Sequence, residues 1–135
     1  MSGSPLATLK ANLTGEQQVT SGDPDGSGTA VVEVFETKVC YTLEVRRIAS
    51  ATAAHINLGL RGEQHWGVFG NGSGPVVALL EPPTDGSSSD CVSVPRALSL
   101  ELREHPARYY INVKNSHYTV DDYPDGAIRG QLERD

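Results

Sequence analysis

Two short stretches hold the residues best suited to chemistry, Ala53-Ala54-His55-Ile56-Asn57-Leu58-Gly59 and Tyr109-Tyr110-Ile111-Asn112-Val113-Lys114. In extended backbone the side chains alternate, so His55 and Asn57 share one face and Tyr110, Asn112 and Lys114 share one face. Ile56, Leu58, Ile111 and Val113 turn the opposite way. His55 titrates near neutrality and can act as a general acid or base. Lys114 can protonate an oxygen, form a Schiff base or hold an anion. Asn57 and Asn112 can orient a carbonyl or stabilise an oxyanion, because an amide donates without titrating. His55, Lys114 and Asn57 are therefore the candidate catalytic residues, with Tyr110 and Asn112 as substrate contacts. The plain alternatives are a buried histidine bonded to backbone or to Arg129, a solvated lysine at a strand end, and asparagines bonded across strands.

Short strands must position these groups. Alternation and turn residues predict strands over 9–13, 29–35, 39–45, 52–58, 75–80, 90–94, 108–114 and 127–132. Fourteen Gly and eight Pro punctuate the chain between them. The one helix expected is 95–104, with Pro95 in its first turn, Ala97, Leu98 and Leu102 as its buried face, and His105-Pro106 as its stop. The fold class is all-β: a Greek-key β-sandwich or flattened barrel of about eight short antiparallel strands with one short helix. At 135 residues the chain makes a single domain, 1–135, without repeat or linker.

Composition narrows the partners. A formal net charge of −6 and a pI near 5.1 argue against a nucleic-acid partner, since no lysine and arginine surplus is present to release counterions. No apolar run approaches the ~20 residues that cross a bilayer. Met1-Ser2-Gly3-Ser4-Pro5 lacks the basic and apolar regions of a secretion leader, so a cytoplasmic location is expected, or export if a leader has been removed. Cys40 and Cys91 permit one disulfide closing a loop of roughly 50 residues; in a reducing compartment they would be buried thiols, and both readings stand. A small molecule is the expected partner, with a homodimer left open.

The chain resembles the CHRD (chordin-type) family, in its stand-alone bacterial form. The resemblance rests on Leu13-Thr14-Gly15, Gly28-Thr29-Ala30, Val39-Cys40-Tyr41-Thr42-Leu43, Thr52-Ala53-Ala54-His55-Ile56, Gly74-Pro75-Val76-Val77, Tyr109-Tyr110-Ile111-Asn112-Val113 and the ending Tyr123-Pro124-Asp125-Gly126-Ala127-Ile128-Arg129-Gly130-Gln131-Leu132. It implies a β-sandwich, often exported, with no settled activity, and a bracing role for Arg129. Three departures stand out. Asn57 replaces the second histidine of a His-Ile-His pattern, Lys114 replaces the histidine of Asn-Val-His, and Gln18 replaces a glutamate. Each removes a metal-ligand type, so neither metal nor cofactor is expected.

Two loops look longer than the family norm, 61–72 after His55 and 115–122 after Lys114. They bring Trp66, Phe69, His117 and Tyr118, which with Gln18 and Arg129 complete the expected substrate-binding set, the aromatics as pocket walls. The leading expectation is a small-molecule-binding protein that performs isomerase-, cyclase- or lyase-type acid–base chemistry without metal, in specialised metabolism. The alternative is a non-enzymatic extracellular binding or interaction module.

Overall fold

The computed structural model describes residues 4–15, 23–59, 75–115 and 127–135. Nine strands and one helix follow in chain order: β1 (Ala7–Thr14), β2 (Ser27–Val34), β3 (Lys38–Arg46), β4 (Ala51–Leu58), β5 (Val76–Leu80), β6 (Ser87–Ser93), α1 (Arg96–Glu104), β7 (Tyr109–Asn115), β8 (Ile128–Gln131) and β9 (Glu133–Arg134). All pairings are antiparallel, in the order β5-β4-β7-β8-β1-β2-β3-β6, with β9 also on β1. The sheet is continuous, and its ends β5 and β6 approach each other, so it curls into a nearly closed barrel. The strand expected over 127–132 breaks at Leu132, whose N–H turns to the Tyr109 carbonyl, so that β9 is a separate piece.

Alternation builds the core. Leu9, Ala11 and Leu13 of β1, Ala30, Val32 and Val34 of β2, Val39, Tyr41 and Leu43 of β3, Ala54 and Ile56 of β4, and Ile111 and Val113 of β7 are all buried. Apolar burial of this kind contributes about 25 cal/mol per Å² of area removed from water. The helix α1 covers part of this core with two of the three residues expected, Leu98 and Leu102, and with Ser99 in place of Ala97. Ser99 and Leu102 are buried and Leu98 partly so, whereas Ala97 is exposed. Pro95 lies just outside the helix as its N-cap, and Leu98 and Ser99 both direct their N–H groups to its carbonyl.

Side chains close the seam between β5 and β6. The Tyr41 hydroxyl accepts a hydrogen bond from the Glu81 N–H at 2.7 Å, and the Ser88 hydroxyl donates to the Glu81 carbonyl at 2.7 Å. The edge strand β6 has no fully buried residue, so it brings little apolar area to the fold. It is fastened to β3 covalently: Cys40 lies directly opposite Cys91 and the two form a disulfide across 51 positions of sequence. Chain-entropy arguments give such a loop closure about 4 kcal/mol. Reduction should therefore lower the melting temperature by on the order of 10 °C, read by calorimetry with and without reductant; an unchanged melting temperature would show that the ladder alone holds β6.

Gly130 sets how closely β8 lies against β1. A Cβ there would sit 2.2 Å from the Asn12 carbonyl oxygen and 2.8 Å from a Leu13 methyl, contacts that backbone cannot relieve cheaply. Gly130→Ala is expected to cost about 1–3 kcal/mol in urea denaturation, with the slope of the transition unchanged.

Candidate functional site

Strand register assembles the site. His55 of β4 lies opposite Asn112 of β7, which lies opposite Arg129 of β8, and Arg129 lies opposite Thr14 of β1. One row along, Asn57 faces Tyr110 and Tyr110 faces Gln131; one row the other way, Ala53 faces Lys114. Residues directly opposite in an antiparallel ladder point to the same side of the sheet. The two polar stretches therefore form one surface, on the side turned away from the apolar core.

Most of that surface is shielded from water. Asn57 and Asn112 are 0 % exposed, and Tyr110 and Arg129 are 1 % exposed, while His55 and Lys114 are half-buried. The Arg129 guanidinium lies 3.5 Å from the centre of the Tyr110 ring, a cation–π stack, and donates to Gln131 Oε1 at 3.3 Å. Gln131 in turn reaches the backbone: its Nε2 lies 2.8 Å from the carbonyl oxygens of Gly59 and Ala107 and 3.1 Å from that of Tyr109. The amide fixes the guanidinium in register with the strand ends around it.

Burial and the positive charge of Lys114, in that order, push the His55 imidazole down to about 4. It is thus a neutral ring at pH 7, and its buried Nδ1 has no hydrogen-bond partner among the described residues. A neutral imidazole beside an ammonium is a base next to a charge that can stabilise an anion. Among the described residues no three His, Cys, Asp or Glu side chains are grouped to hold a metal ion.

The structure brings together His55, Asn57, Tyr110, Asn112, Lys114 and Arg129 as neighbours on one face. Gln18, Trp66, Phe69, His117 and Tyr118 lie outside the described residues. The sequence reading overlooked Gln131, although the signal was present: it stands two positions after Arg129 on the same strand and must share its face. Asn115 was also overlooked. It is 0 % exposed, lies on the core-facing side of β7, and donates from Nδ2 to the Ala49 carbonyl at 3.2 Å.

The depressed imidazole makes stability depend on pH. In the unfolded chain His55 binds a proton below about 6.5, whereas in the folded chain it does so only below about 4. The unfolded state holds more protons between these values, so this contribution is complete above about 6.5 and is lost as the pH falls towards 4. Discounted for partial exposure, it amounts to roughly 2 kcal/mol. Urea denaturation at pH 7 and pH 4.5 should show the native protein losing about that much more than His55→Gln; equal losses would remove His55 as the source.

A family model for the CHRD domain matches residues 9–132. Neither the curated proteins nor the solved structures compared with the chain match it. The matched span runs from the first core residue of β1, Leu9, to Leu132 beyond β8, and so takes in every strand that contributes to the polar face. The chain belongs to the CHRD domain family.

Proposed function

We propose that the protein binds a small carbonyl-bearing molecule on the outer face of β4, β7 and β8 and moves a proton on it, in a reaction of the isomerisation, cyclisation or elimination type. The observation that carries this reading is the pairing of a neutral imidazole with a neighbouring cation. His55 has its proton affinity lowered by burial and by Lys114, and the strand register sets it opposite Asn112.

In this reading His55 takes a proton from carbon or oxygen, and the Lys114 ammonium stabilises the oxygen on which negative charge develops. The Asn57 and Asn112 amides fix the orientation of the carbonyl. Arg129, stacked on Tyr110 and held by Gln131, keeps the adjoining strand positions in place. The chemistry needs no redox step, since only protons move.

A second reading, a non-enzymatic binding module acting outside the cell, is favoured by the Cys40–Cys91 disulfide, because such bonds persist in oxidising compartments. The disulfide and the site are compatible, and an exported enzyme satisfies both. Deuterium exchange separates the readings. Pyruvate and acetoacetate, incubated in D₂O with the protein and followed by proton NMR, should lose α-proton signal faster than in buffer. His55→Ala should abolish the acceleration and Lys114→Ala reduce it at least tenfold, each with stability changed by under about 1.5 kcal/mol. Binding of either probe without exchange would support the module; unchanged exchange in both variants would end the acid–base reading.

A further inference from the structure

The disulfide lies on the side of the sheet away from the proposed site's strands, and its surroundings are chemically distinctive. Cys40 of β3 faces Glu33 of β2 on one side and Cys91 of β6 on the other. Alternation turns the cysteines outward, and Cys91 is exposed. A surface cavity of about 130 Å³ opens beside them, walled by Glu33, Cys40, Thr42, Ser89, Asp90 and Cys91 among others. Its polar wall is acidic and hydroxylic: Glu33 and Asp90 are both exposed, and the Thr42 and Ser89 hydroxyls are 3.3 Å apart.

Two lysines come nearest in the register, and both are directed elsewhere. Lys10, opposite Val31, pairs with Glu133 at 3.9 Å, and Lys38, two positions before Cys40, lies over the Phe35 ring at 5.2 Å. Among the described residues, the charged members of the cavity wall are the two carboxylates, Glu33 and Asp90.

We infer that the Cys40–Cys91 disulfide is a thiol-exchange site whose cavity selects small cationic aminothiols and repels anionic thiols. Of the two residues Cys91 is the exposed one and Cys40 the half-buried one, which makes Cys91 the point of attack in this proposal. An aminothiolate attacks Cys91 Sγ, a new S–S bond forms between the aminothiol and Cys91, and the Cys40–Cys91 bond breaks. The electron pair leaves on Cys40 Sγ, which takes a proton from water. The aminothiol sulfur is oxidised to the disulfide level and Cys40 is reduced. Glu33 and Asp90 attract the ammonium of the incoming reagent and disfavour an approaching carboxylate, an effect that salt should screen. Exchange would leave a small group on β6 and a free thiol on β3, unfastening the edge strand that the bond holds.

The test compares initial rates of exchange for cysteamine and 3-mercaptopropionate on the folded protein, each divided by its rate with bis(2-hydroxyethyl) disulfide to remove differences in nucleophilicity. At low ionic strength the normalised ratio should favour cysteamine by about tenfold or more, and at 1 M salt it should fall towards one. Glu33→Gln combined with Asp90→Asn should remove the preference at low salt; both positions are exposed, and the asparagine retains an acceptor for the Cys91 N–H that Asp90 Oδ1 now receives at 2.8 Å. Mass spectrometry after rapid alkylation should find the aminothiol on Cys91 and the alkyl group on Cys40. A ratio near one at low salt, a preference untouched by the double substitution, or an adduct on Cys40 would each overturn the proposal, and the salt series on the unaltered protein decides it even without the variant.

Discussion

Burying a guanidinium costs several kcal/mol unless its charge and its donors are met by specific partners. Arg129 is 1 % exposed, on a strand face turned away from the apolar core, and the surrounding structure is arranged around that requirement. The Tyr110 ring lies flat against its charge, and Gln131 accepts from it while reaching three backbone carbonyls. Those carbonyls belong to Gly59 after β4, Ala107 in the turn before β7, and Tyr109 at the start of β7. One buried cation thereby ties together the ends of neighbouring strands. Gly130, the residue after Arg129, lets β8 lie close against β1.

The electrostatic consequence falls on His55. It shares the face with two cationic side chains and is partly withdrawn from water, so both burial and Lys114 favour its neutral form. A histidine in this setting keeps one ring nitrogen unprotonated at pH 7 although its basicity is low, and the two asparagines add donors without adding charge. The opposite region of the barrel follows a different logic. There β6 contributes little apolar area, and its place depends on a cross-strand bond and on the side chains that close the seam at Glu81. The protein thus has one face organised by buried positive charge and another by an exposed disulfide in acidic surroundings.

The strands were legible because their side chains alternate and their ends carry turn residues; the core positions Leu9, Leu13, Tyr41, Ile56 and Ile111 follow from period two alone. That His55 and Asn112 share a face could be expected only once the two strands were neighbours, and single-strand alternation does not say which strands pair. The β4–β7 ladder supplies that pairing. Gln131 escaped notice because an isolated glutamine near a chain end reads as solvated, and its importance comes from three carbonyls distant in sequence. One position of the helix face differs from expectation for a similar reason. Ser99, rather than Ala97, turns inward, since the direction in which α1 meets the barrel depends on tertiary packing and not on its own pattern. The pairing of Cys40 with Cys91 stood open for want of strand order, which the β3–β6 ladder provides.

The central claim is that His55 is a neutral base held in that state by its place on the β4–β7 face. The most direct measurement is an NMR titration of the His55 ring carbon in the folded protein between pH 3 and pH 8, assigned with His55→Gln and repeated in Lys114→Met. The account predicts a midpoint near 4 in the native protein and an upward shift when the lysine charge is removed, with burial still holding the midpoint below 6.5. A native midpoint at or above 6.5, unmoved by the loss of Lys114, would contradict it.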